Sequence, residues 1–89
     1  MNLSTKQLKL ASQIDAKVRR LEHAACNELE IFVEMSDLMP DFKHLLDTAG
    51  RDVMDQLCAR FDGFYRYARI LESIAEGIAS GEIKVPREG

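Results

Sequence analysis

His23 and Cys26 stand three residues apart with Glu30 a turn further on, so a helix through this stretch gathers three metal-competent groups on one face. A bound ion needs three or four ligands converging at fixed geometry. The other soft ligands, His44 and Cys58, fall in neither a Cys-x-x-Cys nor a His-x-x-x-His spacing. Glu28, Glu30 and Glu34 lack the Glu-x-x-His pattern of a di-iron bundle. Asp41 and His44 form an Asp-x-x-His pair with Asp47 beyond it, but no second ligand set stands on another element. No metal and no cofactor is expected; Cys26 reads as a small hydrophobe and His23 as half exposed.

Catalysis finds no better footing. A nucleophile needs a base within hydrogen-bond reach, and no Ser-His-Asp or Cys-His-Asn arrangement can be argued from these positions. There is no glycine-rich loop to cradle phosphate. Pairing of Cys26 with Cys58 is not expected either. A hairpin turning near residue 45 sets Cys58 level with residue 32, roughly 9 Å of helix rise from Cys26. The chain is read as a non-enzyme.

Arginine interleaved with aromatics is a second kind of chemistry. Arg60, Arg66 and Arg69 stand among Phe61, Phe64, Tyr65 and Tyr67, and Lys17, Arg19 and Arg20 form a second basic group. Such residues contact phosphates and stack bases. Against a nucleic-acid surface, the pI is about 5.3. Asp62, Glu72 and Glu76 also match the arginines locally, with Arg69–Glu72 and Glu72–Glu76 at ordinary helix-surface spacings, as a solvated face would have them.

Charge is unevenly spread. The formal net charge of −3 divides into +3 over residues 1–27 (five basic, two acidic), −6 over residues 28–55 (two basic, eight acidic) and zero over residues 56–89 (five of each). The middle block holds Glu28, Glu30, Glu34, Asp37, Asp41 and Asp47. An acidic surface of that kind steers toward a basic partner. Helix N-terminal preferences and solubility are the alternative reason for these carboxylates.

The elements that must position these groups are helical. Eighty-nine residues with 46% apolar side chains, five Gly and two Pro make one domain. They disfavour both a disordered chain and a turn-rich β fold. Ser4-x-x-Gln7 is a capping box opening a helix. Leu10, Ile14, Val18, Leu21, Ala25, Leu29, Phe32 and Ser36 then recur at spacings of four and three, predicting one helix over about 5–38, roughly 50 Å long. Pro40 suits the first turn of a short helix over 41–48, with Gly50 as its left-handed cap. Met54, Leu57, Phe61, Phe64, Ala68, Leu71, Ala75 and Ile78 predict a helix over 51–80 ending at Ser80-Gly81, beside a second stripe of Val53, Tyr67, Ile70 and Ile74. Gly63 inside it implies a close contact or a kink. Residues 82–89 read as a flexible tail.

The fold class that follows is all-α: an antiparallel helical hairpin with a short connecting helix, over residues 1–81. Its surplus apolar surface favours a homodimer forming a four-helix bundle, with Leu57, Phe61, Phe64, Leu71 and Ile78 in the seam. A three-helix monomer with 41–48 folded over the core is the alternative. No basic leader and no run of ~20 apolar residues is apparent, so a cytoplasmic protein without a membrane partner is expected. The function expected is that of a small interaction protein, a regulator or inhibitor of the sort phages and plasmids encode. Its acidic tip would bind another protein with a basic or nucleic-acid-binding surface. The alternative is a nucleic-acid-binding helical-hairpin dimer.

Overall fold

The computed structural model describes residues 3–83, which form five α-helices, one 3-10 turn and no strand. The helices are α1 (Thr5–His23), α2 (Glu28–Glu34), α3 (Met39–Thr48), α4 (Arg51–Arg60) and α5 (Asp62–Ser80), with the 3-10 turn Ser36–Leu38 between α2 and α3. Of the expected tail, residues 84–89 lie outside the described residues.

The start of α1 follows from its first residues. Gln7 N–H donates to Ser4 Oγ at 3.1 Å and Ser4 N–H to Gln7 Oε1 at 2.9 Å, so two amides that lack an intrahelical acceptor are satisfied reciprocally. Pro40 sits in the first turn of α3, where its missing N–H costs nothing. Gly81 ends α5 in the left-handed region (φ 83°). Beyond it Ile83 N–H donates to Gly77 O at 3.0 Å, and the Ile83 side chain covers Gly77, where a Cβ would collide with it.

Two expected long helices are each broken. The 5–38 helix stops at His23, because Ala25 takes a left-handed φ of 63°. Cys26 N–H then donates to Leu21 O (3.1 Å) and Ala25 N–H to Glu22 O (3.0 Å), a Schellman closure without glycine. Asn27 restarts the chain at once: its side chain accepts from Glu30 N–H at 2.9 Å and Glu30 Oε1 accepts from Asn27 N–H at 3.1 Å. This second capping box resets the helical phase, so Ile31 and Met35 turn inward while Leu29 turns out.

The 51–80 helix breaks at Phe61, which is extended (φ −122°, ψ 102°) and offers no side-chain cap to α5. Asp15 of α1 supplies that cap from a distance, accepting from Gly63 N–H at 2.7 Å. Gly63 is therefore both a close contact and the start of a new helix: an added Cβ would lie 2.6 Å from Asp15 O. Gly50 is not the left-handed cap expected of it. Its φ of −72° and ψ of 166° make it the extended N-cap of α4.

Contacts between the two long helices run counter to an antiparallel hairpin. Asp15 meets Gly63 and, seven residues on, Glu22 meets Arg66. An antiparallel register pivoting on Asp15–Gly63 would set Glu22 level with residue 56, roughly 15 Å of rise from Arg66. The chain thus advances in the same sense along both helices. The core is built by all five helices around α5, with Ala11, Ile14, Val18, Ile31, Met35, Phe42, Leu45, Val53, Leu57, Phe64, Tyr67, Ile70 and Ile74 buried. Phe42 of α3 packs against Phe64 (centroids 5.4 Å) and edge-on to Tyr67 (4.9 Å, 76°).

Candidate interaction surface

The basic candidates are mostly engaged within the chain. Lys17 Nζ lies 2.9 Å from Asp37 Oδ1, and Arg19 lies 3.8 Å from Asp15. Arg66 donates through Nε to both Glu22 oxygens (2.9 and 3.0 Å) and through Nη1 to Asp62 at 2.6 Å. Those carboxylates hold the guanidinium proton still more firmly than usual. Arg69 donates to Tyr65 Oη at 3.0 Å and lies over that ring, and Arg60 lies over the Phe61 ring. Arg20 is exposed and, among the described residues, pairs with no carboxylate. Three of the six cations expected to face phosphate, Lys17, Arg19 and Arg66, are thus paired with carboxylates among the described residues.

The six acidic candidates divide between two places. Glu28 and Glu30 occupy the first turn of α2, Glu34 its last position, and Asp37 follows in the 3-10 turn. Glu30 is committed to the capping box, and Asp37 to Lys17, whose hydrogen bond holds the carboxyl below the usual carboxylate range. Asp41 and Asp47 lie on α3. Asp41 lines a groove of about 360 Å³ with Lys6, Lys9, Gln13 and His44, beside α1. Glu28 instead lines a groove of about 520 Å³ with Glu22, Arg66, Arg69, Ile31 and Ile70, beside α5. Folding therefore keeps Glu28, Glu30, Glu34 and Asp37 as one segment and sets Asp41 opposite lysines.

Seam candidates separate in the same way. Leu57 and Phe64 are fully buried, Phe61 and Leu71 half-buried, and Ile78 is 42% exposed. The inward face of α5 is the stripe of Tyr67, Ile70 and Ile74, with Gly63 and Gly77 at its ends. Leu71, Ala75 and Ile78 form the flank. The break at Phe61 is the reason, since it uncouples the phase of α5 from that of α4.

Among the described residues no group of three or more His, Cys, Asp or Glu is placed to hold a metal ion. His23 and His44 are exposed. Cys26 packs against the core edge, and Cys26 and Cys58 are free thiols. Burial, and then the charge of Asp55, push the Cys58 thiol up, which keeps it protonated and poorly nucleophilic.

One feature of the surface escaped the sequence pattern. Leu29 and Val33 of α2 are 46% and 58% exposed. They point away from Ile31 and Met35, in a row parallel to Glu30 and Glu34. The Asn27-x-x-Glu30 capping box was the signal for this, because it restarts the helix out of phase with α1. No described helix is long and apolar enough to cross a membrane. No protein-family model, curated protein or solved structure matches this chain.

Proposed function

We propose that this chain is a non-enzymatic interaction protein, a regulator or inhibitor, that recognises a basic surface on another protein through the acidic segment centred on α2. The observation that carries the reading is that Glu28, Glu30, Glu34 and Asp37 stand within ten residues, with Lys17 as their one salt-bridged cation among the described residues. Two exposed aliphatic side chains stand among them. Carboxylates around an apolar patch give steering and register from the charge and affinity from the patch. The internal pairing of Lys17, Arg19 and Arg66 favours this reading over a nucleic-acid surface.

The test compares wild type with a Glu28→Lys, Glu34→Lys double variant in pull-downs followed by mass spectrometry. Basic proteins should be retained by wild type and lost by the variant. Identical retention would remove the acidic segment from the function. A duplex DNA gel shift at low salt, read on the same pair, should show no salt-dependent retardation of the wild type.

A homodimer is part of the proposal. Two copies pairing along α4 and α5 would place four helices at one interface and cover Ile78, Leu71 and Phe61, the apolar flank the fold leaves uncovered.

A further inference from the structure

We infer that the outward face of α2 is a docking surface for a basic amphipathic helix. This deepens the reading above, on which it rests, by giving the partner a shape as well as a charge. Leu29 and Val33 are one helical turn apart and are exposed, although similar side chains on the opposite face, Ile31 and Met35, are buried. Glu30 and Glu34 repeat the same spacing one column over. The face is thus two parallel rows, one apolar and one anionic, and Glu34 is the row's carboxylate that no described contact engages.

The geometry selects among occupants. A basic segment in extended form would find no backbone partner on a helix ridge and would keep its amides and carbonyls on water. The backbone of α2 is consumed by its own helix and by the capping box, so it offers no edge to add to. A helical partner satisfies its backbone internally. It presents apolar residues three and four apart with Lys or Arg in the next column, which is the complement of these two rows. Nucleic acid is repelled by the carboxylate row. A second copy of α2 would bring like charges together at the same rim.

The experiment uses the full chain and two labelled peptides of one composition, Leu and Lys only. The first is ordered so that leucine recurs at three and four; the second carries D-residues at alternate positions and cannot form a helix. Fluorescence anisotropy should give at least about tenfold tighter binding for the helical peptide. A Leu29→Ser, Val33→Ser variant should lose about tenfold of that affinity while its melting temperature and circular dichroism stay at the wild-type values. Glu34→Arg, on the neighbouring row, should weaken binding chiefly at low salt. Equal binding of both peptides would overturn the helical partner and leave the basic-partner reading standing. Tight binding unaffected by the serine substitutions would overturn the surface. Failure of wild type to bind either peptide would sink both.

Discussion

Gly63 shows how much of this fold rests on a missing side chain. Its amide is one of the unpaired donors at the start of α5, and the Asp15 carboxylate of another helix takes it at 2.7 Å. A methyl group there would meet Asp15 backbone atoms at 2.6 and 2.8 Å, and backbone cannot step aside as a side-chain tip can. Gly63→Ala should destabilise by about 3 kcal/mol or more in urea titration, the range for overpacking plus a lost cap. Gly50→Ala is the contrast: nothing lies within 4 Å and the backbone is ordinary, so only the poorer N-capping of alanine counts and the loss should stay below about 1 kcal/mol. Tyr67 makes a different residue-scale argument. Its ring is fully buried, and its hydroxyl finds only the Met39 sulfur at 3.7 Å. Burial, then the charge of Asp37, push its ionisation up to about 12. In the unfolded chain a tyrosine ionises near 10, so above that pH the unfolded state loses a proton the native state keeps. Stability is therefore complete below about pH 10 and falls by about 2 kcal/mol as the pH rises to 12. Tyr67→Phe should remove that component, seen as a shallower loss of stability between pH 10 and 12 in alkaline denaturation.

At the scale of elements, the joints decide the architecture. Ala25 holds a left-handed conformation that costs an L-residue about 1 kcal/mol and costs glycine almost nothing. Ala25→Gly should thus stabilise by about 1 kcal/mol and raise the melting temperature by about 4–8 °C in thermal circular dichroism. Much of the rest was legible in the residues. The helical class, the Ser4–Gln7 cap, the place of Pro40 and the end at Gly81 all follow from local chemistry that nothing distant contradicts. The breaks were not legible from periodicity, because the spacing of apolar residues runs unbroken through Ala25 and Phe61. One break had a local sign in Asn27 and Glu30. The other is held by Asp15, 48 residues from Gly63, which no local pattern reveals. The candidate surface suffered the same loss: four of its six carboxylates stay in one segment because they are close in sequence, whereas Asp41 stands on α3 in a groove with Lys6 and Lys9 of α1.

For the whole molecule, the distinction is between apolar residues the chain covers and those it leaves to others. Leu57 is fully buried, so Leu57→Asp should unfold the protein at any concentration, read by circular dichroism. Leu71 is half-buried on the flank of α5, and Leu71→Asp should leave the helices intact while halving the mass found by light scattering. A wild type whose mass stays that of one chain up to millimolar concentration would remove the homodimer. The two surfaces also differ in how firmly they are held. α5 is 19 residues long and anchored by Tyr67, Ile70 and Ile74, whereas α2 has seven residues and a single fully buried side chain, Ile31. Local opening follows such differences in anchorage. Backbone amides of α2 should therefore exchange with deuterated solvent long before those of α5, through a fluctuation that leaves the remaining helices standing. A partner that seats on α2 would register first as slowed exchange at Phe32, Val33 and Glu34, so the most transient helix of the protein would also be its most sensitive reporter of company.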